Sequence, residues 1–164
     1  MKFVRNAWYV AGWASEFGPD LKRAAILGDD VVLYRTGEGK VAALEDRCPH
    51  RLLPLSMGRV VDGNAVQCGY HGLTFDTSGK CVRAPGQDNV PACSVHAYPV
   101  HEKNDIVWIW MGEPAKADPA AIFDLAEFSD PSWHAHQGDA LHLKSHYLNV
   151  AENLVDPAHV SFVH

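Results

Sequence analysis

The sequence predicts a mainly β domain of antiparallel sheets, followed by the start of a second domain of mixed α and β character. Three observations carry this. Short apolar runs recur between Gly-rich turns from Ala24 to Trp110, the pattern of small antiparallel strands. Two Cys/His pairs, Cys48 with His50 and Cys68 with His71, fall where successive hairpins turn. A Pro-punctuated change of composition, with Pro114, Pro119 and Pro131 amid Ala and Asp, then marks a boundary. The resulting division is 1–112 for the β domain, 113–130 for a linker and 131–164 for the opening of the second domain.

The elements follow in order. After Asn6-Ala7-Trp8-Tyr9-Val10-Ala11, the runs Ala24 to Leu27 and Val31 to Tyr34 flank Gly28-Asp29-Asp30 as a hairpin. Thr36-Gly37-Glu38-Gly39 is a turn, and Val41 to Leu44 is a strand that delivers the chain to Cys48. Gly58 to Gln67 reads as strand, tight turn and strand, which returns Cys68 beside the first loop. Leu73 to Asp76 and Lys80 to Val82 flank the Thr77-Ser78-Gly79 turn, and Pro85-Gly86 and Pro91 mark an irregular segment. Tyr98 to Glu102 and the unbroken apolar run Ile106 to Trp110 close the domain, the last as a buried core strand. Beyond the linker, Trp133 to Gln137 alternates as a strand, and Tyr147 to Leu154 has helical apolar spacing that Pro157 interrupts.

Composition narrows the function. With 164 residues and 47% hydrophobic content, the chain can hold one full domain and part of another. The net charge of −6, without a Lys/Arg cluster, argues against nucleic acid as a partner. No window approaches the roughly eighteen apolar residues of a membrane span, and Met1 to Arg5 leads into no apolar core. The expectation is a soluble, cytoplasmic protein with no membrane partner. In such a reducing compartment Cys81 and Cys93 are expected as plain thiols.

The chemistry concentrates in Cys48-Pro49-His50 and, after seventeen intervening residues, Cys68-Gly69-Tyr70-His71. Two thiolates on one iron and two imidazoles on the other can hold a 2Fe-2S cluster. Each loop supplies one donor of each kind, so each iron is tied to both loops. Structural zinc is the competing reading, since Cys2His2 is a common zinc set. Zinc sites usually place both Cys in one knuckle and both His in the other, whereas here each knuckle is mixed.

These motifs resemble the Rieske proteins. The respiratory-complex branch carries two further bridging Cys and a Ser near the last His, where this chain has Leu53, Tyr70 and Leu73. With fewer hydrogen bonds to the cluster sulfurs, the potential is expected near the low end of the range, about −150 mV. That suits a relay fed by NAD(P)H.

A second constellation, Asn153, Asp156, His159 and His164, lies near the end of the chain. Two His and one carboxylate form the facial triad of oxygen-activating non-haem Fe(II). His159 and His164 are five positions apart, about 140 degrees around a regular helix, so Pro157 or a π-type bulge has to bring them together. Taken alone, the pair reads more readily as satisfied helical histidines than as metal ligands. The pairs His134/His136 and His142/His146 are read as surface or hydrogen-bonded histidines.

Together with Asn6 to Ala11, Cys48-Pro49-His50-Arg51, Cys68 to Leu73 and Trp108 to Gly112, this pattern resembles the Rieske non-haem iron aromatic oxygenases, over essentially the whole chain. The O-demethylase branch, typified by vanillate and dicamba demethylase oxygenase components, is the most similar. The resemblance implies a helix-grip catalytic domain after the Rieske domain, and a 2Fe-2S cluster on Cys48, His50, Cys68 and His71. It implies mononuclear Fe(II) on His159, His164 and a carboxylate beyond His164. Asp156 would link a Rieske His of one subunit to the iron site of the next, with Asn153 near the iron, which accounts for the family's homotrimers. It further implies an NAD(P)H-dependent flavin and iron-sulfur reductase as partner, and a small aromatic substrate with O2. Val155 and Pro157 depart from the nearest demethylases, which carry Met and lack Pro there. Because the third ligand is missing, the chain is expected to be an inactive part of a longer product. The alternative is a Rieske-type electron carrier without oxygenase activity; such a chain would end near Pro114.

Overall fold

Residues 3–128 and 130–163 are described by the structure, a computed structural model. Contacts divide it into two compact units, with the break after His134. Among the described residues, the first unit holds eleven strands: β1 (Ala7–Trp13), β2 (Lys22–Ile26), β3 (Asp29–Arg35), β4 (Val41–Glu45), β5 (Arg59–Val61), β6 (Ala65–Gln67), β7 (Thr74–Phe75), β8 (Cys81–Arg83), β9 (Ala97–Tyr98), β10 (Val100–Lys103) and β11 (Ile106–Met111). They form three sheets in the orders β1-β11-β10, β2-β3-β4-β9 and β5-β6-β7-β8, and every pairing is antiparallel. The mainly β, antiparallel fold read from the sequence is therefore the one found.

β3 explains the layering. Val31, Val32, Leu33 and Tyr34 are all fully buried, so this apolar run is covered on both faces. Side chains alternate along a strand. Val32 and Tyr34 join Leu44, Leu55, Val66 and Phe75 in one core, together with Cys48 and Cys68. Val31 and Leu33 join Phe17, Ala43, Val107, Ile109 and Met111 in the other. Burial of each such aliphatic side chain stabilises the fold by about 1.5–3 kcal/mol, which makes β3 the wall against which the loop-bearing sheet is fixed.

The stretch read as a linker lies along the first unit. Its turns Pro114–Lys116, Pro119–Ala121 and Ala126–Phe128 are each a single 3-10 turn. Ile122 is buried, Trp8 Nε1 donates to the Asp118 carbonyl at 2.8 Å, and Lys103 pairs with Asp124 at 3.0 Å.

In the second unit, α1 (Tyr147–Val155) occupies the predicted helix, with His146 Nδ1 accepting from Leu148 N at 3.2 Å as its N-cap. The strand expected at Trp133 to Gln137 does not form. Its residues are exposed, and no strand pairs with them among the described residues, so their alternation has no ladder to join. Asp156 leaves helical geometry, Pro157–His159 make a 3-10 turn, and α2 (Val160–Val163) follows. Proline lacks the N–H that a continuous helix would need at this point. The break thus comes from Pro157, and no π-type bulge is present among the described residues.

Candidate metal centre

The first loop leaves β4 through Asp46, whose side chain is wholly buried. Its carboxylate accepts from Ser56 N and from Ser56 Oγ, both at 2.6 Å, and Arg23 Nε stands 3.6 Å away. A buried carboxylate is tolerated only when paired and hydrogen-bonded, and here those bonds join the two ends of the 47–55 loop. Within the loop, Cys48 N donates to Leu53 O at 2.9 Å and Leu52 N to Cys48 O at 2.9 Å, with Leu52 at φ 61°.

The second loop, between β6 and β7, repeats this pattern. Cys68 N donates to Leu73 O at 2.8 Å, Gly72 N donates to Cys68 O at 3.1 Å, and Gly72 has φ 74°. The chain leaving the first loop packs against the start of the second, where a Cβ on Gly69 would lie 2.8 Å from Met57 O. A Cβ on Gly58 would lie 2.0 Å from Gln67 O, a space that only glycine leaves.

This packing brings all four predicted donors of the first constellation together. Cys48 and Cys68 are buried, whereas His50 and His71 are exposed with ring centroids 4.6 Å apart. Tyr70 lies over His71 at 3.9 Å between centroids. Burial pushes the Cys48 thiol up from its ordinary pKa, the backbone N–H groups of His50 and Arg51 pull it down, and the adjoining Cys68 thiol pushes it up again. A cavity of about 390 Å³ beside the imidazoles is lined by Pro49, Leu73, Pro85 and Cys93 among others.

The donor set distinguishes the two metal readings. A single zinc needs four donors converging on one ion. The arrangement is instead an inner thiol pair and an outer imidazole pair, which suits two bridged irons with different ligands. The amides directed at the Cys48 sulfur would favour its thiolate form. The residues therefore fit a Rieske-type cluster.

In the second unit, Asn153 Nδ2 lies 3.4 Å from His159 Nε2, and Asp156 Oδ1 accepts from Ala158 N at 3.1 Å. Three of the four residues of the second constellation thus fall on one helix-turn segment, while His164 lies outside the described residues. His134, His136 and His142 are exposed, and His146 serves as the cap of α1.

Sequence reasoning missed the Asp46–Ser56 clamp and the left-handed residue of each loop. A local signal for the latter was present: both loops place a Leu five residues after the Cys, at Leu53 and Leu73.

Comparison with known proteins agrees with the geometry. The chain is 44% identical over 164 residues to the iron-sulfur subunit of a toluene-4-sulfonate monooxygenase system from Comamonas testosteroni, covering 99% of this chain and 47% of that protein. It is 45% identical to the oxygenase component of dicamba O-demethylase from Stenotrophomonas maltophilia, covering 100% of this chain and 48% of the relative. It is 40% identical to a vanillate O-demethylase oxygenase subunit from a Pseudomonas species, over 99% and 45% of the two chains. The crystal structure of dicamba monooxygenase bound to dicamba superposes with a TM-score of 0.93 at 43% identity, covering 100% of this chain and 49% of that one. The chain thus spans about half the length of these relatives. The profile of the Rieske 2Fe-2S domain matches residues 7–99, a stretch that contains both loops, and the chain belongs to that family.

Proposed function

We propose that this chain is the Rieske-bearing part of the terminal oxygenase component of an aromatic-ring catabolic monooxygenase. Its reaction would be O-demethylation or methyl hydroxylation of an aromatic acid such as vanillate, with O2 as co-substrate. The observation that carries the reading is the segregation of the donors: exposed imidazoles of His50 and His71 over buried thiols of Cys48 and Cys68. Support for the reaction class comes from relatives named as dicamba and vanillate O-demethylase oxygenase components at 45% and 40% identity.

Cys48 and Cys68 would hold the inner iron of the cluster from inside the β core, away from water. His50 and His71 would hold the outer iron at the surface, where an NAD(P)H-dependent flavin and iron-sulfur reductase, or a ferredoxin, can approach. When bound, the cluster supplies one-electron transfer and the mononuclear Fe(II) supplies O2 activation. His159 and His164 would hold that Fe(II), with a carboxylate from beyond this chain. Asp156 would bridge to the Rieske His of a neighbouring subunit in a homotrimer, with Asn153 beside the iron.

The test is iron and acid-labile sulfide analysis with low-temperature EPR of the reduced protein. The expected result is two irons and two sulfides per cluster with a Rieske-type signal, all lost in Cys68→Ser. Zinc in place of iron would overturn the cluster reading. In the full-length protein, His159→Ala should abolish substrate oxidation while the cluster signal stays intact; turnover at the unaltered rate would refute the mononuclear-iron assignment and leave the electron-carrier role.

A further inference from the structure

Cys81 and Cys93 are not among the four candidate cluster donors, yet they face each other. Cys81 N donates to Cys93 O at 3.0 Å, Val95 N donates to Gly79 O at 2.9 Å, and Lys80 and Ser94 form an antiparallel bridge between these bonds. In that register Cys81 and Cys93 are directly opposed, so their side chains share one face. Opposed residues at such a position have Cα atoms about 5.5 Å apart, within the roughly 4.4–6.8 Å that a disulfide spans. The thiols are close enough to interact: after burial, the Cys93 thiol is the next influence that pushes the Cys81 pKa up.

The two sulfurs differ in access. Cys81 is 2% exposed, and its thiol points to Arg83 O at 3.6 Å. Cys93 is half-buried and lines both the cavity beside His50 and His71 and a neighbouring one bounded by Val90 and Pro91. A thiol reachable from solvent with a shielded partner behind it is the arrangement that forms an internal disulfide through a mixed one.

The segment between them walls the imidazole cavity. Ala84, Pro85, Gln87 and Pro91 line it. Pro85 also sits against the second loop, where a Cβ on Gly72 would lie 2.8 Å from Pro85 Cγ. A covalent tie at the base of this segment would therefore bear on the loop that carries His71.

We propose that Cys81 and Cys93 form a reversible disulfide site, closed by exchange with a low-molecular-weight disulfide, that fastens the wall of the imidazole cavity against the second loop. The Cys93 thiolate, its proton lost to water, attacks one sulfur of the small disulfide and expels one small thiolate. The Cys81 thiolate, formed in the same way, then attacks the Cys93 sulfur, forms the Cys81–Cys93 bond and expels the second. Two protein thiols are oxidised, one small disulfide is reduced to two thiols, and those thiolates take up the two protons.

The test uses cluster-loaded protein incubated with oxidised glutathione, followed by acid quench, alkylation and peptide mapping without reductant. The expected product is a linked pair of peptides carrying Cys81 and Cys93, lighter by two hydrogens, with no glutathione attached and with the cluster absorption unchanged. Dithiothreitol should reverse it, and amide exchange across residues 84–91 should be slower in the oxidised form. Cys81→Ser should stall with glutathione on Cys93. Glutathione persisting on Cys93 of the parent protein, a link that involves Cys48 or Cys68, or no reaction at Cys93 would each overturn the proposal.

Discussion

The two Cys/His loops reach the same local geometry by different means. Each makes a hydrogen bond from the Cys amide to the Leu five residues on, and each places a left-handed residue just before that Leu. The first loop puts Leu52 in that left-handed position and is closed by the buried Asp46 carboxylate holding Ser56. The second puts Gly72 there, and is braced from outside by Pro85 and by backbone contact near Gly58. A left-handed Leu costs about 1–2 kcal/mol more than the same position relaxed. The first loop can carry that cost because its ends are clamped by charge-assisted hydrogen bonds. Among the described residues, no buried carboxylate closes the second loop; Thr74 Oγ1 donates to Gly72 O at 3.1 Å, and Pro85 packs on it from outside.

Substitutions that separate these two strategies should rank in order of effect. Gly58→Ala is expected to be the most severe, because its Cβ would meet backbone rather than a movable side chain. A destabilisation of about 3 kcal/mol, with loss of bound iron, should appear in urea unfolding and metal analysis. Next, Gly72→Ala combines a left-handed alanine with the Pro85 contact and should cost about 2 kcal/mol. Leu52→Ala, already left-handed in the parent, should disturb cluster retention less; equal losses at the two positions would remove the distinction between the loops. Ser56→Ala leaves one of two donors on the buried Asp46 and should cost about 1–2 kcal/mol, read as a lower unfolding midpoint. The smallest effect is expected for Leu52→Gly. Relief of the left-handed strain outweighs the added freedom of the unfolded chain, for a net gain of about 0.5 kcal/mol with the cluster retained.

Much of this was legible in the sequence. The mixed Cys/His spacing, the turns between apolar runs and the helix that Pro157 stops are local features, carried by residue type and period. Trp133 to Gln137 shows where such reasoning fails: alternation describes a strand's faces but cannot supply the partner whose hydrogen bonds make it a strand. The region from 113 to 130 shows the complement. Its prolines marked a change of composition, but not that Asp118, Ile122 and Asp124 would be held by Trp8 and Lys103 across the fold.

By itself, the sequence determined which atoms are available to metal, how far apart they lie along the chain, and that the apolar run Ile106 to Trp110 is a core strand. Tertiary structure decided the rest: thiols inside and imidazoles outside, Asp46 buried on Ser56, and Cys81 opposed to Cys93. The reason is that strand pairing and close packing join residues distant in sequence. The energy of each contact depends on what both partners exclude from water, which no single stretch of chain encodes.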